Sequence, residues 1–138
     1  MFQRILLPVD GSLSMAPLVR KCLAFAAGIG AHVVVLHVVP ATGVTADPAQ
    51  IPAQIPAQIP AQILADVAGQ AALMNVPCEG RLLAGAEPWR AILQAAHEHD
   101  IDLICMGSHG RHGASEHVLA SQAARVLEHT QLPVLLFR

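Results

Sequence analysis

Charge is scarce in this chain. Only 13% of the 138 residues are charged, Lys21 is the sole lysine, and the formal net charge is −2. With the arginines scattered as well, no field draws the protein to nucleic acid or anionic lipid, and a sequence-reading nucleic-acid role is excluded. Cysteine is also sparse. Cys22, Cys78 and Cys105 are odd in number and far apart, which rules against a disulfide framework and fits a reducing compartment. No apolar run reaches the ~18 residues of a membrane span. The run within Met1–Asp10 is too short for the core of a signal peptide. A soluble, cytoplasmic protein is expected. Familiar catalytic signatures are missing too. No Gly-Lys-Ser/Thr ends the glycine-rich run, which excludes a P-loop NTPase. No Gly-x-Ser-x-Gly elbow surrounds Ser12 or Ser14, so these serve better as helix caps than as nucleophiles.

What the chain does have is apolar material, 54% of it, enough for one domain over residues 1–138. Ile5–Val9 is a continuous apolar run of the kind buried parallel strands show, stopped by Asp10-Gly11-Ser12. Helical spacing follows over Leu18–Ala27, with Ser14 as the expected N-cap, Pro17 in the first turn, and Gly28 and Gly30 as the stop. His32–Val39 is a β-branched strand closed by Pro40. A helix is expected from about Ile63 to Leu73, then a weaker, edge-like strand over Glu79–Ala84. Trp89, Ile92, Leu93 and Ala96 mark a helix starting at Pro88 and ending near His99-Asp100. Asp102–Met106 and Val134–Phe137 are the last two strands, with a helical stripe of Val118, Leu119, Ala123, Val126 and Leu127 between them. The alternation predicts a doubly wound, Rossmann-like α/β domain on a parallel sheet. Ligands of such sheets bind at the carboxyl ends of the strands.

Residues 41–62 contain four tandem Pro-Ala-Gln-Ile copies, starting at Pro48, Pro52, Pro56 and Pro60. A proline every fourth residue opposes both helix and regular strand, so an extended or disordered loop inserted after the second strand is expected. The plain account is a repeat expansion in a tolerant loop; the functional one is a flap or docking arm beside the strand ends.

The stretch Met106-Gly107-Ser108-His109-Gly110-Arg111-His112-Gly113 follows a strand and precedes a helix, the arrangement that lets backbone amides cradle a phosphate. It does not open the first βα unit, so the dinucleotide fingerprint does not apply. An ordinary tight turn is the competing reading. Asp10 either hydrogen-bonds a ribose or base, or simply finishes its strand and caps a helix. His109, His112, His117 and Glu116 match no metal-site spacing and read as solvated residues. His37 reads as a core histidine, the cysteines as small hydrophobes, Trp89 as packing, and Glu98, His99, Asp100 and Asp102 as a solvated helix end.

Three segments together resemble the universal stress protein family: Arg4–Ser12, Leu36–Pro40, and Ile104–Gly113 with the later Leu132–Leu135. The likeness spans everything except about residues 41–62. It implies a five-stranded sheet of order 3-2-1-4-5 and a homodimer joined through the last strand, residues 132–138. It also implies an ATP-binding-like motif, Gly-x2-Gly-x9-Gly-Ser/Thr. Gly107, Gly110 and Ser121 match that motif, while Ala120 replaces its third glycine. The resemblance places the base and ribose near Pro8, Val9, Asp10, Val38 and Met106. It places phosphates near Gly107, His109, Gly110, Arg111, Ala120, Ser121 and Gln122. The implied ligand is ATP or another adenine nucleotide, with or without Mg²⁺. The expected role is a nucleotide-binding regulator of stress response acting on a protein partner. The alternative is a dimeric interaction module that has lost nucleotide binding at Ala120. Apart from Asp10 no general base or Mg²⁺-binding carboxylate pair is visible, so catalysis is left open, at most as weak ATP hydrolysis.

Overall fold

A computed structural model describes residues 2–10, 15–39, 58–85, 87–107 and 118–137, with the side chains of 58–60 and 118–121 outside the description. The elements are β1 (Arg4–Val9), α1 (Ala16–Ile29), β2 (His32–Val39), α2 (Gln58–Leu73), β3 (Cys78–Ala84), α3 (Pro88–Glu98), β4 (Leu103–Gly107), α4 (Val118–His129) and β5 (Val134–Phe137). All strands pair in parallel, in the order β3-β2-β1-β4-β5. The expected doubly wound sheet and its order are both found. β3 is an edge strand, as its weaker apolar pattern predicts.

Alternation along the strands divides the core into two layers. Ile5, Leu7, Val33, Val35, Leu103 and Cys105 face α1 and α2. Leu6, Val34, Leu36, Ile104 and Met106 face α3 and α4. The central strands are covered on both sides, which is why they read as unbroken apolar runs.

Three helices end in the same way. Gly30, Asn75 and Asp100 adopt left-handed φ of 71°, 57° and 53°. The next amide then returns to the helix: Ala31 to Ala26, Val76 to Ala71 and Ile101 to Ala96, at 2.9, 2.9 and 3.0 Å. Gly, Asn and Asp are the residues that tolerate this conformation most readily. Each turn delivers a buried residue toward the next strand.

Several boundaries differ from expectation. Gly28 lies inside α1, and Gly30 alone is its C-cap. The N-cap of α1 is Met15, without a side-chain cap; Ser14 lies outside the described residues. α2 starts at Gln58, so the fourth repeat, Pro60–Ile63, is helical rather than loop. Pro60 falls in the first turn, where its absent N–H has no intrahelical partner to lose. The other repeat prolines lie outside the described residues. Among the described residues no helix is long and apolar enough to cross a membrane.

Asp102 departs furthest from its expected role. Its carboxylate accepts the amides of Gln3 at 2.8 Å and Arg4 at 3.0 Å. The Asp102 amide in turn donates to the Arg4 carbonyl at 3.0 Å. A residue expected to be solvated therefore aligns the start of β1 beside β4.

Candidate functional site

β1 lies between β2 and β4, and the winding reverses between β1 and β4. That makes the carboxyl end of this pair the switch point of the sheet. β1 pairs with β2 along its whole length, Arg4 to Val9. With β4 its pairing covers only Ile5–Leu103 and Leu6–Ile104. Pro8 has no amide to extend a ladder, and the paired register stops before it. The strand ends leave the switch point unzipped.

Six of the expected site residues lie at or near the carboxyl ends of β1, β2 and β4. Pro8 and Val9 end β1, Asp10 follows it, Val38 lies near the end of β2, and Met106 and Gly107 end β4. Val9 is buried, Asp10 and Val38 are partly buried, and Met106 is only 1% exposed, within the α3/α4 layer. His109, Gly110 and Arg111 lie outside the described residues, as do His112, Glu116 and His117. Ala120 and Ser121 lie in the first turns of α4. The backbone at Ala120 is therefore helical, and the methyl group there imposes no backbone strain.

Sequence reasoning missed three contacts that shape this end of the sheet. His37 sits beside Val9 in the β1–β2 register, 8% exposed, with Nδ1 3.0 Å from the Val9 carbonyl. Since a carbonyl only accepts, that nitrogen carries the proton. The amide of Asp10 donates to Met15 Sδ at 3.2 Å, tying the strand end to the start of α1. The side-chain carbonyl of Gln122 accepts the amide of Trp89 at 3.2 Å. Trp89 is the second residue of α3, and Glu87 before it makes no side-chain cap. Gln122 thus supplies the missing cap from a neighbouring helix. The indole of Trp89 stacks on His129 with centroids 4.3 Å apart, and the Arg90 guanidinium lies 4.8 Å from the indole centre.

Nearby, Ala84, Gly85, Glu87, Arg90, Ala91 and Gln94 line a groove of about 240 Å³. It opens beside the edge strand rather than at the switch point. Its charges are satisfied internally by the Glu87–Arg90 pair at 2.6 Å, which holds Glu87 below the usual carboxylate range.

Most of the other polar organisation lies at the opposite, amino-terminal edge. Glu79 meets Arg4 at 3.1 Å, His32 at 3.4 Å and Arg81 at 2.7 Å. Burial pushes its carboxyl upward, but the Arg4 hydrogen bond and the charges of Arg81, His32 and Arg4 outweigh it, leaving Glu79 below the usual range. This cluster joins β1, β2 and β3 and is remote from the switch point.

Comparison with known proteins follows the same lines. The profile of the Universal stress protein family matches residues 1–138. A Thermus aquaticus relative described as "Universal stress protein in QAH/OAS sulfhydrylase 3'region" is 34% identical over 140 residues, covering 100% of both chains. A crystal structure of a universal stress protein family member from Burkholderia pseudomallei aligns at TM-score 0.75 with 26% identity, covering 99% of this chain and 96% of that one. The universal stress protein from Archaeoglobus fulgidus in complex with dAMP aligns at TM-score 0.70 with 24% identity, covering 99% and 98%.

Proposed function

This chain belongs to the universal stress protein family, and from that premise we propose that it is a regulatory protein that binds ATP or another adenine nucleotide at the carboxyl ends of β1 and β4. The observation that carries this reading is the unzipped switch point. Pro8, Val9, Asp10, Val38, Met106 and Gly107 surround it, and the β1–β4 register ends at Leu6–Ile104. A helical backbone at Ala120 removes the strain argument against binding. The dAMP complex of the Archaeoglobus protein supports an adenine nucleotide as the ligand class. In this reading the base and ribose meet Val9, Asp10 and Val38. The phosphates meet Gly107, His109, Gly110, Arg111 and the start of α4, where helix amides favour an anion.

Calorimetry on protein stripped of nucleotide, with millimolar ATP and with or without Mg²⁺, tests the proposal. Saturable heat is expected, along with an adenine nucleotide in the mass spectrum of the freshly purified protein. No heat at millimolar ATP overturns it.

The same proposal includes a homodimer through β5. Val134–Phe137 is an uncharged apolar edge strand, and Leu136 is 37% exposed. Light scattering should give twice the chain mass, and Leu136→Lys should shift it toward the monomer. A monomeric wild type refutes the dimer and leaves the nucleotide reading standing.

A further inference from the structure

Cys22 and Cys105 are 83 positions apart in sequence, yet α1 lays one over the other. A Cβ placed on Gly107 would meet Leu18 Cδ2 at 3.6 Å, which fixes where α1 crosses the end of β4. The helix returns antiparallel to the strand, as in any βαβ crossover. Four residues along a helix advance about 6 Å, and two residues along a strand advance about 6.6 Å. Stepping from Leu18 to Cys22, and back from Gly107 to Cys105, therefore reaches facing positions. Two observations agree. Both cysteines are 0% exposed, and both belong to the α1/α2 core layer. Cys78 lies on β3, with β2 and β1 between it and β4, and is only partly buried.

We propose that Cys22 and Cys105 are an internal dithiol that closes to a disulfide under a peroxide-class oxidant when α1 lifts from β4, fastening the first helix to the strand that leads into the glycine-rich segment. While the fold is closed the pair is protected. The interaction with Cys105, and then burial, push the Cys22 thiol above its ordinary range, which disfavours the thiolate nucleophile. Oxidation therefore waits on local opening.

Once open, one thiol gives up its proton and its sulfur attacks a peroxide oxygen. The O–O bond breaks, the departing hydroxide takes a proton and leaves as water, and a sulfenic acid remains. The second sulfur then displaces the sulfenic oxygen as water, carrying its own proton with it. Two thiols lose two electrons and two protons, and one hydrogen peroxide becomes two waters. The bond would join the two walls of the switch point, since α1 follows Asp10 and β4 ends at Gly107. The inference stands whether or not a nucleotide binds there.

The experiment uses Cys78→Ser protein, which retains only this pair, treated with hydrogen peroxide and analysed by intact mass and peptide mapping. The expected product has lost two hydrogens and yields one cross-linked peptide containing Cys22 and Cys105. Its rate of formation should rise about tenfold in urea below the unfolding transition, as for a reaction gated by partial opening. The oxidised protein should unfold at a higher urea midpoint than the reduced one. Peptide mapping of peroxide-treated wild type should give the same cross-linked peptide without any substitution. The proposal is overturned if Cys22 and Cys105 oxidise separately to sulfinic acids, if cross-links form only between molecules, or if the disulfide appears only in fully unfolded chains.

Discussion

The imidazole of His37 holds the last carbonyl of β1, with Nδ1 3.0 Å from the oxygen of Val9. The two residues face each other in the β1–β2 register, and the ring is almost wholly buried. The contact fixes the end of β1 beside the unzipped switch point. His37→Leu keeps the bulk but leaves the Val9 carbonyl without this donor. It should cost about 1–3 kcal/mol, the range for stranding a buried polar group, in urea unfolding. If the site is set by this strand end, ATP affinity in calorimetry should also fall.

Ala120→Gly should not repair anything. Because the backbone at this position is helical, glycine adds conformational freedom to the unfolded chain without relieving strain. A loss of up to about 1 kcal/mol is expected from helix propensity, measured as a lower urea midpoint. ATP affinity should stay within about threefold of wild type, under 1 kcal/mol at 25 °C. A large gain in affinity would show that the methyl group obstructs the ligand directly.

Gln122 has a structural task independent of any ligand. Removing its carbonyl in Gln122→Ala leaves the Trp89 amide without its partner, and about 1 kcal/mol should be lost. Trp89 is the only tryptophan, so its emission should report the change directly. Gln122→Glu retains an acceptor and should restore most of the stability.

The Glu79 cluster gives a pH dependence of definite sign. The folded carboxyl lies below its ordinary value of 4.5, so its contribution is present above that value. It is lost as pH falls through the lower, folded value, because the unfolded chain binds the proton first. Glu79→Gln should flatten the acid limb of the stability curve and change stability near neutrality by about 1 kcal/mol or less, as for partly exposed pairs. Urea midpoints between pH 3 and pH 7 check both.

The sheet was legible because its central strands are dense runs such as Val33–Leu36, whose two buried faces leave nothing to alternate. The placement of part of the candidate site was legible as well. Asp10 and Gly107 stand next to strand ends, and strand ends in this topology meet at one edge. What stayed hidden was long-range pairing. Nothing local to Asp102 shows that it binds amides 98 and 99 residues away. Similarly, nothing near Cys22 indicates that it shares a core layer with Cys105. The early start of α2 was hidden for another reason. A rule about prolines inside helices does not hold in the first turn, where Pro60 sits.

The two borders of the sheet are unequal. β3 carries Glu79 and Arg81 along its margin, the kind of charge that discourages another strand from adding. Val134–Phe137 has no such guard. A copy that adds through β5 uses up the permissive border of both partners at once, because a two-fold contact matches each patch with itself. What remains outward on either side is β3. If the proposed dimer forms through β5, strand addition stops at two chains, and a charge-removing change on β3, not one on β5, is the alteration expected to open the way to filaments.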